Sequence, residues 1–207
     1  MHPTPRVGRF FHLLASLAAF TAVWLSAPPS GHALVQGNRP AAFQSFRIFG
    51  DYESVGNTMM ANSASAPLVN SVLLSSNFAD VSTVPTDATI EAAYLWWTGA
   101  TDPDVGTDTS VSLRLPNGTS RSVSSSSCQT LRINPGGGNV DYFYCRADIT
   151  SVLTSNPAPG GGANGRYTLS GLTAQAGDLD ATGQCIDSNC QAFFGAWSLL
   201  VVWSSDT

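Results

Sequence analysis

No lysine occurs anywhere in the 207 residues, and the three histidines, His2, His12 and His32, all lie within the first 33. Beyond residue 33 the chain has neither an imidazole nor an amine side chain. That excludes Ser-His-Asp and Cys-His nucleophilic machinery, a Ser-Lys dyad, a Schiff-base lysine and a histidine-ligated zinc from this part. Charge is scarce throughout, at 11% of residues. Positive charge is scarcest: after residue 33, seven arginines (Arg39, Arg47, Arg114, Arg121, Arg132, Arg146 and Arg166) stand against 14 Asp and Glu, a net charge of −7. A lysine-free acidic surface offers no basic footprint for nucleic acid or anionic lipid. No stretch after residue 33 is long and apolar enough to span a bilayer.

What is present begins with an export signal. Arg6 and Arg9 give a positive start, 10–25 is an apolar run interrupted only by His12, Ser16 and Thr21, and Ala27-Pro28-Pro29-Ser30-Gly31-His32-Ala33 breaks it and ends on small residues. This is the layout of a secretory signal peptide over 1–33, with cleavage expected after Ala33 and Ala27 as the alternative. An uncleaved anchor is the rival reading, but the run is shorter than the ~20 residues of a span. The membrane is then met only during export, and residues 34–207 are expected to form one secreted or surface-exposed domain.

Four cysteines remain in that part: Cys128, Cys145, Cys185 and Cys190. An even number in an exported chain points to disulfides. Three connectivities are open; pairing of sequence neighbours, Cys128–Cys145 and Cys185–Cys190, is expected. The spacing is not that of a zinc site.

Strand signals recur between turn signals, without internal repeats. Strands are expected over 42–49 (stopped by Gly50-Asp51), 54–60, 68–74, 89–98, 110–115, 120–124, 128–133, 140–146, 167–172 and 196–203. Over 89–98, Ile90, Ala92, Tyr94 and Trp96 line one face and Ala93, Leu95 and Trp97 the other. Pro116-Asn117-Gly118-Thr119 is a strong hairpin signal, and its glycosylation sequon needs no explanation beyond the turn. A helical turn is expected over 148–153 with Asp148 as its cap. Residues 173–191 read as a long loop. Leu199 to Trp203 is apolar at every position, which describes a central strand buried on both faces. Its partners must come from upstream strands such as 89–98 and 54–60, or else the chain is a piece of a longer protein. The pattern predicts an all-β, antiparallel, disulfide-stapled β-sandwich of jelly-roll type.

Several segments carry a resemblance: Gly50-Asp51-Tyr52, Val55-Gly56-Asn57-Thr58-Met59-Met60, Ala88 through Trp97, Ala147-Asp148-Ile149-Thr150, Gly165-Arg166-Tyr167-Thr168-Leu169 and Gly195 through Trp203. With these the chain resembles the N-terminal β-sandwich domain of large secreted bacterial surface proteins, adhesin-like and associated with fimbrial isopeptide domains. The resemblance implies a structural or adhesive role without catalytic residues. Its partners would be other domains of a larger surface protein or a cell-surface glycan.

Carboxylate chemistry is the catalytic option left open. Asp108-Thr109-Ser110 matches the aspartic-protease triplet, but that mechanism needs two such carboxylates and there is no second triplet. A glycan hydrolase needs two acids at a set separation, and Glu53, Glu91 and the twelve Asp are scattered, mostly beside turns. The better site candidate is Asp102-Pro-Asp104-Val-Gly106-Thr-Asp108, whose three carboxylates around a glycine turn suit Ca²⁺; Asp178, Asp180 and Asp187 form a weaker one. Trp96, Trp97, Trp197 and Trp203 suggest either a sugar-stacking platform or core packing. Trp96 and Trp97, being adjacent on one strand, must face opposite sides. The alternative to a structural or adhesive module is therefore a carbohydrate-binding module or a carboxylate-dependent glycan hydrolase.

Overall fold

The structure is a computed structural model that describes residues 43–63, 66–125, 127–133, 139–175 and 194–205. The expected signal peptide, Cys185, Cys190 and the Asp178, Asp180 and Asp187 group lie outside the described residues. Arg47–Thr207 forms one compact unit. Its strands are β1 (Gly50–Thr58), β2 (Met60–Ser63), β3 (Ala66–Leu73), β4 (Ser76–Val81), β5 (Thr89–Thr101), β6 (Ser110–Arg114), β7 (Ser120–Ser124), β8 (Ser127–Ile133), β9 (Val140–Asp148), β10 (Gly165–Ser170) and β11 (Gly195–Ser204). One short helix, α1 (Thr150–Ser155), follows β9. No helix among the described residues is long and apolar enough to cross a membrane.

Two antiparallel sheets make the sandwich, in the orders β1-β11-β5-β9-β8 and β4-β10-β6-β7, with β2-β3 as a separate hairpin. Leaving out β8 and this hairpin, the chain passes β1, β4, β5, β6, crossing sheets at each step. It turns to β7 within the second sheet, then crosses again through β9, β10 and β11. Two interlocked four-stranded sheets connected in this way are a jelly roll, with β8 added at the edge.

Alternation fills the space between the sheets. From the larger sheet come Ala93, Leu95, Trp97, Phe143, Cys145, Leu199, Val201 and Trp203; from the smaller come Val81, Val111, Leu113, Val123, Tyr167 and Leu169. Leu95, Leu113, Leu169 and Leu199 are at 0% exposure; each such side chain contributes roughly 1.5–3 kcal/mol by leaving water. Tyr167 keeps its hydroxyl paired by donating to the Ala163 carbonyl at 2.7 Å, and burial pushes its phenol far above the ordinary tyrosine value.

The apolar terminal segment is a central strand, with β1 on one edge and β5 on the other. The Asn117-Gly118 hairpin forms as expected: Gly118 takes φ +84°, its N–H donates to the Leu115 carbonyl, and Leu115 N–H donates to Thr119. That positive φ is the reason for glycine at the turn.

Other expectations need correction. Residues 43–49 form no strand, and Gly50 begins β1 where it was read as a stop. A Cβ on Gly50 would collide with the Trp203 carbonyl oxygen, so the glycine serves close approach to β11. The second expected strand ends at Thr58, since Met60 already belongs to β2. β4 was missed because its one large apolar residue, Phe78, is 43% exposed, outside the core, under the Arg166 guanidinium. A bulge opposite Val202 and Trp203 shifts the register of β5, so Ile90 packs with the core instead of with Ala92 and Tyr94. Asp148 ends β9 and Ile149 occupies the helix N-cap; the Asp148 carboxylate still accepts the Thr150 N–H at 2.9 Å.

Candidate functional site

Two regions hold the residues singled out from the sequence: the acidic loop between β5 and β6, and the outer face of the five-stranded sheet.

The acidic loop is a structural joint. Asp102 closes a turn by accepting Val105 N–H on its carbonyl, and its own N–H donates to Gln175 Oε1 at 2.9 Å. Asp108 is bonded through both its parts. Its carbonyl accepts the Trp97 indole N–H at 2.8 Å and lies 3.3 Å from Cys145 Sγ. Its carboxylate accepts Thr173 N–H at 2.7 Å and Ser110 N–H at 3.3 Å. Asp104 is exposed and adds to the negative field at Arg132, whose guanidinium is held charged chiefly by a bidentate bond to Asp141 at 2.6 and 2.8 Å. Among the described residues no three Asp, Glu, Cys or His side chains are gathered so as to hold a metal ion. The Asp108 carboxylate is bonded to Thr173 and Ser110, Asp104 acts on Arg132 through its charge, and Asp102 is held through its main chain.

Most other described carboxylates are similarly committed. Glu53 receives the N–H and hydroxyl of both Ser82 and Thr83, Asp80 pairs with Arg166, and Glu91 receives the Ser204 hydroxyl. Burial pushes the Glu53 carboxyl up, but its four hydrogen bonds from Ser82 and Thr83 outweigh that and hold it below its ordinary value. The Arg166 guanidinium lowers Asp80, and Arg132 lowers Asp141. These bonds join strands and loops. Glu53 on β1 reaches the segment after β4, and Asn57 Nδ2 donates to the Phe78 carbonyl at 3.0 Å, so side chains stitch β1 to β4 where no ladder runs.

The expected Cys128–Cys145 disulfide is formed, between directly opposed residues of β8 and β9. Cys145 is fully buried and opposite Trp97 in the register.

The tryptophans divide as their positions demand. Trp97, Trp197 and Trp203 are core residues, whereas Trp96 is partly exposed on the outer face. Directly opposed residues of an antiparallel sheet share a face, so the register lays out that face in rows across β1, β11, β5, β9 and β8. One row is Gly56, Ser198, Trp96, Arg146 and Ser127; the next is Thr58, Ala196, Thr98, Tyr144 and Gln129. Two shallow depressions lie here. One of about 370 Å³ is lined by Trp96, Thr98, Tyr144, Ala196 and Ser198, with the Trp97 and Trp197 positions beneath. The other, about 460 Å³, is lined by Thr98, Tyr144, Tyr142, Gln129 and Leu131, with the Thr130 and Phe143 positions beneath. Thr98 and Tyr144 belong to both, which joins them into one trough. Small apolar clusters flank it: Ala92, Tyr94 and Val202 at one end, with Trp96 tilted against Tyr94 at 5.8 Å between ring centroids, and Ala100 and Val140 at the other, where Tyr142 stacks on Phe194 at 5.2 Å. Trp96 was legible from its adjacency to Trp97. Tyr144 was missed, although Tyr142, Tyr144 and Arg146 alternate through β9 in a way that marks a shared face.

No protein family, curated protein or solved structure matches the chain.

Proposed function

We propose that this chain is a non-catalytic structural or adhesive module of an exported bacterial surface protein, making its contacts through the outer face of the five-stranded sheet. The observation that carries the reading is the division of labour among side chains. Most described carboxylates serve joints within the fold, while Trp96, Tyr144 and Leu131 stand out on an ordered sheet face, the last two 46% and 65% exposed. A large partly exposed aromatic face is the form of a contact surface. The signal-like N-terminus, the Cys128–Cys145 disulfide and the resemblance to surface-protein sandwich domains support placement outside the cytoplasm.

The test couples attachment to turnover. Beads coated with the protein are expected to adhere to a bacterial surface polymer or to a neighbouring domain of the same surface protein, and Trp96→Ala with Tyr144→Ala should abolish adhesion. Catalytic turnover of any member of a glycan panel would overturn the non-catalytic reading. Adhesion unchanged in the double variant would overturn the assignment of the face.

A further inference from the structure

We propose that the trough on the outer face binds an uncharged glycan chain, with Trp96 and Tyr144 as stacking platforms; this rests on the reading of that face as the contact surface. Trp96 lines one depression, Tyr142 the other, and Tyr144 both. The trough crosses β11, β5, β9 and β8, roughly 15 Å at the usual strand spacing, enough for a short oligosaccharide lying across the strands.

The lining chooses among ligands. It contains no Asp, Glu or Lys: around the rings stand the Ser198 hydroxyl, the Gln129 amide and Thr98. Rings that present flat apolar faces beside hydroxyl and amide groups match a sugar, which has a C–H face and a hydroxyl rim. A peptide strand draws its affinity from main-chain groups at a sheet edge. Here the strands under the trough are paired with their neighbours on both sides, except β8 at the rim. A nucleic-acid strand would also stack on the rings but needs a basic track for its phosphates, and Arg146, opposite Trp96, is the one cation in the two rows. An anionic membrane needs lysine and arginine clusters that this chain lacks. Charge complementarity therefore favours a neutral polysaccharide.

The experiment is calorimetric titration and affinity electrophoresis of the full chain against neutral oligosaccharides (glucans, mannans and N-acetylhexosamine oligomers), with uronic-acid oligomers as a charged arm. Saturable binding of a neutral oligomer is expected, weakened about tenfold or more by Trp96→Ala, as for a central aromatic anchor, and also by Tyr144→Ala. Near-ultraviolet circular dichroism verifies the fold of each variant. Phe78→Ala, on the outer face of the other sheet, should bind as the parent does. Binding confined to the uronic-acid arm overturns the proposal, as does neutral binding insensitive to both substitutions. If no glycan binds and bead adhesion to protein-coated surfaces still depends on Trp96 and Tyr144, the glycan proposal fails while the adhesive reading stands.

Discussion

The backbone carbonyl of Asp108 accepts the indole N–H of Trp97 at 2.8 Å, joining the end of an acidic loop to the middle of the core. The Asp108 carboxylate holds the same residue in place from the other side, through Thr173 N–H. Asp108→Ala should therefore destabilise the protein by about 1.5–3 kcal/mol, the range for hydrogen bonds to a charged group. Asp108→Asn, which keeps an acceptor, should cost less. Denaturant melts with millimolar Ca²⁺ and with chelator are expected to show the same loss. A calcium-dependent rise in parent stability that Asp104→Asn abolishes would instead mark the loop as an ion site.

Trp97 and Trp197 lie directly opposite each other on β5 and β11, yet their indole nitrogens differ. That of Trp97 is bonded, whereas that of Trp197 is buried without a partner among the described residues. Replacing Trp197 with Phe removes an unsatisfied donor together with some packing volume; at Trp97 the same change also orphans the Asp108 carbonyl. The expected difference is about 1 kcal/mol or more, with Trp97→Phe the less stable. Equal losses in urea melts would show that the bond contributes nothing.

Cys128 and Cys145 are 17 positions apart in the sequence. A cross-link closing a loop of that size stabilises by about 3 kcal/mol through the unfolded chain. Replacing both with Ser should lower the unfolding free energy by about that amount, with Cys145, at 0% exposure, adding a packing loss. Peptide mapping without reduction should recover the Cys128–Cys145 fragment, and a fragment joining Cys128 to Cys185 would contradict the fold.

Glu53, Asp80 and Asp141 all have carboxyl pKa values lowered by folding. The folded chain binds these protons more weakly than the unfolded chain does. Their stabilisation is therefore present above the unfolded values of about 4 and is lost as pH falls through the folded values beneath. The melting temperature should stay level from pH 7 to about 5 and drop below about 4. Glu53→Gln should lower the plateau and shrink the acid drop; an unchanged profile would mean that the bonds to Ser82 and Thr83 do not hold β1 in solution.

Much of this fold is readable in the chain because the signals are local. Asn117-Gly118 between alternating runs specifies its hairpin, and the apolar runs of β5 and β11 announce strands inside a sheet. Signals that depend on a distant partner are silent. Gly50 reads as a breaker until Trp203 lies beside it, and Phe78 breaks the inward pattern of β4 because Arg166 covers it from β10. Ile90 changes face through a bulge that no period reveals. The candidate site follows the same division. The opposed faces of Trp96 and Trp97 follow from adjacency. The pairing of Asp108 with Thr173, and the meeting of Trp96 with Tyr144, exist only once the strands are in register.

The place of β11 in the sheet sets an order of events in time. Gly50 pairs with Ser204, and β1 touches the rest of its sheet only through β11. As the chain emerges from its N-terminus, β5, β9 and β8 can assemble early, but β1 has no ladder to join until residues 195–204 arrive. Closing so long a loop adds little entropic cost beyond that of a moderate one, yet such distant pairings are slow. The sheet is therefore completed late, when residues 195–204 meet β1, whichever of its other strands have already paired.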